Sequence, residues 1–251
     1  MADDLNGKAA LITGGGTGIG EAAALALAAK GVAVAVTGRR REKLEGLVGR
    51  ISADGGKAIA IQSDVAVEAD ALRAVREAAE QLGRLDIVVN SAGINEYGGV
   101  QTLDLASWRR VIDINLMGTI YTCAAAVPIL KAAGGGDIVN ISSTSGRRAA
   151  AAFASYSTSK HGVQGFSESL RQEVGGIGIR VCIIEPGATE SEIASSVSDP
   201  KAREFMHKHV TKEGAMKASD IADAIVFVVG LPPRANVSTM LVRPTIDTAG
   251  M

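Results

Sequence analysis

The sequence predicts a doubly wound α/β fold, a parallel sheet of about seven strands with helices on both faces. Short apolar strands alternate with helix-length segments from Lys8 onward. Each strand is apolar almost throughout, as a sheet covered on both faces requires. A glycine-rich turn, TGGGTGIG, links the first strand to the first helix.

Lys8 to Ile12 is the first strand, Glu21 to Lys30 an alanine-rich helix, and Gly31 its stop. Val32 to Val36 is the second strand, followed by Gly38 and three arginines and by helical periodicity from Glu42 to Ile51. Ala58 to Gln62 is the third strand and Glu68 to Leu82 the third helix. Leu85 to Val89 is the fourth strand, running into NSAG. A helical region from Leu103 to about Lys131 should kink at Pro128. Asp137 to Ser142 is the fifth strand, the helix containing Tyr156 ends near Val174, and Ile179 to Ile184 is the sixth strand, followed by Glu185-Pro186-Gly187. Residues 188–217 read as a polar, irregular loop over the site. Ser219 to Gly230 is the last helix and Met240 to Val242 the seventh strand. The whole, 1–251, reads as one domain without repeat or linker.

The 251 residues are 47% hydrophobic with 30 glycines, which suits a folded core with many turns. Lysine and arginine number 26 against 27 aspartates and glutamates, so no basic field points to nucleic acid or an anionic membrane. The longest apolar runs, Ala22 to Ala29 and Ile225 to Val229, are far shorter than the roughly twenty residues of a membrane span. The acidic start, MADDLNGK, lacks an apolar signal core, and Cys123 and Cys182 lack CxxC spacing, so a reducing cytoplasmic setting is expected. Both cysteines are expected to be packing residues. His207 and His209 point apart on a helix, and no metal site is expected.

In a doubly wound sheet, ligands bind at the carboxyl ends of the strands. Gly14 to Gly20, Gly38-Arg39, Asp64, Asn90 to Gly93, Ser143 and Pro186-Gly187 all follow strands and should share that edge. Ser143 precedes Tyr156 by thirteen residues, and Lys160 follows Tyr156 at i+4 on one helical face. A free tyrosine titrates near 10. A unit charge about 4 Å away at an effective dielectric of about 20 interacts by roughly 4 kcal/mol, enough to lower that by about three units. Tyr156 and Lys160 are therefore a candidate proton-transfer pair. The turn is TGxxxGxG rather than GxGxxG, but it still brings backbone and a helix N-terminus toward a pyrophosphate.

The TGxxxGxG turn, NSAG, Ser143, YxxxK and Pro186-Gly187, in this order over nearly the whole chain, resemble the short-chain dehydrogenase/reductase family. The resemblance implies a Rossmann-like domain, a nicotinamide cofactor, hydride transfer and a tetrad of Asn115, Ser143, Tyr156 and Lys160. In it Ser143 stabilises a developing oxyanion and Tyr156 exchanges a proton with the substrate oxygen. Lys160 lowers the Tyr156 pKa and holds the nicotinamide ribose, and Asn115 anchors a water chain. Ser142 is the alternative serine, expected to face the other way. The turn residues Gly14, Gly16, Thr17, Gly18, Ile19 and Gly20 are implied to hold the cofactor. Asp64 and Val65 are implied at the adenine, and Asn90, Ala92 and Gly93 at the ribose, with Ser91 replacing a more usual asparagine. Pro186, Gly187, Thr189 and Ser191 are implied near the carboxamide.

A carboxylate at the end of the second strand binds a free ribose 2′-hydroxyl, whereas an arginine there accommodates a 2′-phosphate. Gly38 takes the acidic position and Arg39 follows, so the cofactor is expected to be NADP(H), with Arg39 its main phosphate ligand and Arg40 a helper. Gly-Arg-Arg, Glu-Pro-Gly and Leu-Val-Arg-Pro-Thr resemble the branch of hydroxy-acid dehydrogenases and broad aldehyde or ketone reductases. The expected function is interconversion of a small-molecule carbonyl and a secondary alcohol. A 3-oxoacyl-carrier-protein reductase, docking its carrier on Arg147 and Arg148, is the alternative enzyme. A non-catalytic nucleotide-binding subunit is the alternative of another class. Glu96, Tyr97, Ser145, Arg147 and Phe153 are expected around the substrate. The family further implies a homotetramer built on the helices carrying Asn115 and Tyr156.

Overall fold

In this computed structural model, residues 5–102, 104–211 and 214–248 are described. The strands are β1 (Ala9–Thr13), β2 (Ala33–Gly38), β3 (Ala58–Gln62), β4 (Ile87–Asn90), β5 (Gly136–Ile141), β6 (Ile179–Pro186) and β7 (Thr239–Val242). They form one sheet in the order β3-β2-β1-β4-β5-β6-β7, with every neighbouring pair parallel. Alternate residues face opposite layers. Ala10, Ile12, Val34 and Val36 pack on the layer that includes α1 (Gly18–Ala28), α2 (Arg41–Ala53) and α8 (Ala218–Val229). Ala9, Leu11, Ala35 and Val88 pack on the layer that includes α3 (Glu68–Leu82), α5 (Gly118–Ala132) and α6 (Ala154–Val174). Both faces are covered, so each strand needs apolar residues at consecutive positions.

The order reverses between β1 and β4, where Thr13 pairs with both Thr37 and Asn90. Asn90 is in register with Asn140, and Ile141 with Ile184. The carboxyl ends therefore finish on one edge, and the loops after them meet there.

Element boundaries lie close to those expected, with two departures. The helix expected from 103 to 131 is instead α4 (Leu105–Ile112), a π-helical turn (Asp113–Met117) and α5; residue 103 lies outside the described residues. Pro128 sits inside α5, and the interruption falls at the π turn, whose extra residue places Asn115 at its centre. The run Leu105–Ala132, 28 residues, is by length and composition apolar enough to cross a membrane, although no uninterrupted apolar stretch within it is that long; it packs on α3 and α6 as a core layer.

The second departure is in residues 188–217, expected to be irregular. They contain a 3₁₀ turn, Glu192–Ser196, and α7 (Pro200–Val210). Asp199 caps α7 by accepting from the Ala202 N–H at 2.7 Å, and Pro200 takes the first helical position, where its missing donor costs nothing. Ala194, Val197, Ala202 and Met206 form a small core of their own with Phe153 and Ile193. Lys212, Glu213 and the side chain of His209 lie outside the described residues.

Candidate active site

A cavity of about 630 Å³ opens along the carboxyl edge of the sheet. Gly14, Gly16, Thr17, Gly18 and Ile19 line one wall, Arg39, Arg40, Asp64 and Val65 continue it, and Ala92 and Gly93 form its floor. Ser143, Tyr156, Lys160, Pro186, Gly187, Thr189 and Ser191 line the rest. Gly20, Asn90 and Asn115 do not line it. Each stands directly behind the wall and shapes it.

The turn after β1 is closed from behind. Gly14 has φ +66, and a Cβ there would stand 2.8 Å from the Ala92 Cα. A Cβ on Gly20 would collide with the Gly14 carbonyl oxygen, so helix α1 approaches the turn only because position 20 has no side chain. Thr13 Oγ1 accepts from the Ser91 and Ala92 N–H groups, both at 3.2 Å, and fastens NSAG beside the turn. Asn90 is turned away, its Nδ2 donating to Asn140 Oδ1 at 2.8 Å. Its part is to join β4 to β5 rather than to face the cavity.

Asn115 is fully buried. Its Oδ1 accepts from the Ile94 N–H at 2.8 Å, and its Nδ2 donates to the Ile94 carbonyl at 2.9 Å and to Ser159 Oγ at 3.0 Å. Ser159 Oγ donates in turn to the Tyr156 carbonyl at 2.7 Å. One amide thus ties the segment after β4 to the helix of the tyrosine. The Asn115 carbonyl already accepts from Thr119 Oγ1 at 2.9 Å. These bonds make Asn115 a brace between two walls.

Tyr156 is the third residue of α6, near the helix end that favours negative charge. The Ser143 side chain lies on the same wall and favours the ionised form of the Tyr156 hydroxyl, and Ser143 Oγ accepts from the Ser145 N–H at 3.1 Å. Ser142 also lines the cavity, but its Oγ donates to the Lys160 carbonyl at 3.2 Å, which separates the roles of the two serines. Lys160 is 4% exposed. Its Nζ donates to the Ile141 carbonyl at 2.8 Å and stands 5.6 Å from the Tyr156 ring centre.

The expected depression of Tyr156 by Lys160 does not arise from the protein groups alone. Burial pushes Tyr156 up to about 12, with Ser143 opposing, and pushes Lys160 down to about 8. Desolvation sets both directions, and the ammonium spends a donor on the Ile141 carbonyl. Near neutral pH the pair is a protonated tyrosine beside a mostly charged lysine.

At the other end of the cavity, Arg39 is exposed and its guanidinium has no hydrogen bond among the described residues. Arg40 Nη2 donates to Thr17 Oγ1 at 3.3 Å and to Glu192 Oε2 at 2.8 Å. Asp64 accepts the Ala66 N–H at 3.0 Å through Oδ1, shaping its own turn, and Val65 packs with Ile94, Val111 and Ile114. Thr189 Oγ1 turns inward onto the Gly187 carbonyl at 3.0 Å, whereas Ser191 lies against Gly18.

Of the expected substrate-side residues, Ser145 and Phe153 line the cavity. Glu96, Tyr97 and Arg147 do not. Glu96 accepts from the Ser198 N–H at 3.0 Å, from Ser198 Oγ at 2.7 Å and from Arg110, anchoring the segment before α7. Tyr97 makes an edge contact with Phe153, ring centres 5.5 Å apart. Arg147 donates to the buried Glu185 at 2.5 Å. Ile193, Ser195, Ser196 and Met206, all within the segment 188–217 expected over the site, line the cavity too. The order inside that segment is what the expectation of a loop left out, and the Asp199-Pro200 pair is the signal that marks a helix there. Cys123 and Cys182 are buried, and burial raises both thiols to about 12.

The short chain dehydrogenase family model matches residues 8–202. The chain is 31% identical to an uncharacterized oxidoreductase of Staphylococcus aureus (strain USA300), over 96% of this chain and 98% of that protein. It is 34% identical to glycine betaine reductase ATRR of Emericella nidulans over 242 residues, 96% of this chain but 19% of that protein, so it spans about a fifth of that relative's length. A solved structure of a short chain dehydrogenase from Burkholderia cenocepacia J2315 in complex with NADP is 34% identical and superposes with a TM-score of 0.85, covering 96% of this chain and 98% of the other.

Proposed function

We propose, from the premise that the chain belongs to the short-chain dehydrogenase family, that it is an NADP(H)-dependent oxidoreductase interconverting a neutral carbonyl compound and its secondary alcohol. The observation that carries the reading is that Ser143, Tyr156 and Lys160 share the wall of one cavity that continues to the glycine turn.

The residues present fit the cofactor. The turn lets backbone approach a pyrophosphate, Gly38 leaves no carboxylate to repel a 2′-phosphate, and Arg39 has an uncommitted guanidinium at that place. The NADP-bound Burkholderia relative supports the same assignment. When bound, NADP(H) supplies the hydride in its reduced form and a positive charge in its oxidised form. Ser143 donates to the carbonyl oxygen as charge develops there, and Tyr156 delivers a proton to that oxygen. Burial keeps Tyr156 protonated, the form that a reduction uses. Lys160 supports the phenolate left behind, and Asn115 holds both walls in register.

Ile94, Ala150, Phe153, Ile193 and Met206, with the hydroxyls of Ser145, Ser195 and Ser196, surround the substrate end. No charged side chain other than Lys160 faces that end among the described residues, which supports an uncharged ketone. A carrier-protein substrate is disfavoured, because Arg147 is committed to Glu185 and is no free docking charge. In the family's manner a tetramer would form through α5 and α6, and light scattering reads its mass.

The test is NADPH oxidation with a panel of neutral ketones, by wild type and Tyr156→Phe. Turnover lost in the variant, with NADPH binding kept, is the expected result. Tight NADPH binding without turnover of any carbonyl by wild type would establish a non-catalytic binder instead.

A further inference from the structure

We propose that Glu192 is a specificity residue of the cofactor site: its carboxylate occupies the guanidinium of Arg40 that a ribose 2′-phosphate would take, and so limits the preference for a phosphorylated over an unphosphorylated dinucleotide. The inference rests on the reading of the cavity as an NADP(H) site.

Three contacts place Glu192 there. Arg40, at the start of α2, points its Nη2 between Thr17 of the glycine turn and Glu192 Oε2, at 3.3 and 2.8 Å. Lys43, one turn further along α2, brings its Nζ to 3.9 Å from Glu192 Oε1. Ser191, the preceding residue, lies against the same turn: a Cβ built on Gly18 would stand 3.3 Å from the Ser191 Cβ. Residues 191–192 therefore lie over the adenosine end of the cavity, and Glu192 is among its lining residues.

A 2′-phosphate monoester carries close to two negative charges at neutral pH and seeks a guanidinium in two-pronged contact. Arg39 is open to it, but Arg40 is already paired. A phosphate drawing on Arg40 must part the ion pair and then stand near the displaced carboxylate. A ribose with a free 2′-hydroxyl meets neither cost and leaves the pair in place. Glu192 thus penalises only the phosphorylated cofactor. Its side chain is 44% exposed and that of Arg40 52%, so water screens the effect and its size is that of a surface ion pair.

Glu192→Gln keeps the shape and removes the charge at a position outside the proton-transfer group. Equilibrium titrations with NADPH and NADH, and competition by 2′,5′-ADP and 5′-AMP, read the effect. The expected result is Kd for NADPH and 2′,5′-ADP lowered about two- to fivefold, with NADH and 5′-AMP unmoved. Equal shifts for the phosphorylated and unphosphorylated members, or none, would overturn the proposal. A wild type that binds NADH as well as NADPH would instead count against the NADP(H) reading, an outcome visible before the variant is made. Glu192→Lys extends the series: the discrimination should widen again if charge is the cause, and an unchanged ratio in both variants would overturn it.

Discussion

The two ends of the cavity are built on opposite principles. At the tyrosine end, Asn115, Ser143, Tyr156 and Lys160 are buried, and nearly every polar atom has a protein partner within hydrogen-bond reach. At the arginine end, Arg39, Arg40, Lys43 and Glu192 are solvated: Arg40 and Lys43 pair with Glu192, Arg40 also reaches Thr17 Oγ1, and Arg39 stands open. Desolvation sets proton affinities at the first end, where it moves Tyr156 and Lys160 by large amounts in opposite directions. At the second end water screens every interaction. On the proposed function, chemistry is fixed where change is costly and cofactor choice where change is cheap.

The largest expected effect breaks the buried end. Tyr156→Phe removes one oxygen and with it the proton donor beside Ser143, and kcat/KM for ketone reduction should fall about 10²- to 10⁴-fold with the Kd for NADPH unchanged. A loss under tenfold would mean that another group carries the proton.

Lys160→Met tests the cost of burial itself. Lowering a lysine from 10.5 to about 8 corresponds to about 3 kcal/mol unfavourable to the folded state while the lysine is charged, partly offset by its bond to Ile141. Below about 8 both folded and unfolded chains hold the proton, and that cost is constant. Above it the folded chain gives up the proton first, the unfolded chain binds more protons, and wild-type stability rises until pH passes 10.5. The variant should be at least as stable as wild type at pH 7 and lose that advantage by pH 10, read from urea midpoints, while its kcat falls. An advantage that grows with pH would contradict the assigned direction. Tyr156 acts oppositely, since its raised pKa costs stability above about pH 10, but it is present in both proteins.

What the sequence disclosed follows the same division. Sheet, helices and the Tyr156–Lys160 pair were legible because period and spacing are local: consecutive apolar residues declare a strand covered on both faces, and i,i+4 declares a shared helical face. Gly20 and Asn115 were legible as types but not as roles, since their work is to pack against Gly14 and to bond Ile94. The direction of the Tyr156 shift was not legible, because it depends on how deeply the fold buries the phenol. Glu192 was invisible as a partner of Arg40, from which 152 positions separate it. Helix α7 escaped notice because Ala202 and Met206 are the two buried side chains it contributes to its small core, too few to impose a visible period.

At the exposed end, Arg39→Ala removes the uncommitted guanidinium. The ratio of kcat/KM with NADPH to that with NADH should fall about tenfold or more, the worth of a charge-assisted hydrogen bond. An unchanged ratio would move the phosphate contact to Arg40 alone.

The smallest effect sharpens the contrast without any substitution. Raising ionic strength from about 0.05 to 0.5 M shortens the screening length from about 14 to 4 Å, which weakens solvated charge pairs and leaves buried ones nearly untouched. NADPH affinity should drop several-fold across that range, NADH affinity less, and kcat with saturating cofactor hardly at all. The screening acts on the Arg40–Glu192 pair as well as on the phosphate contact, so Glu192→Gln should show the steeper salt dependence: in wild type, salt weakens the competitor along with the ligand. A kcat that fell in parallel with NADPH affinity would mean that the two ends are coupled, and that the exposed charges reach the proton-transfer group through the segment from Thr189 to Ser196.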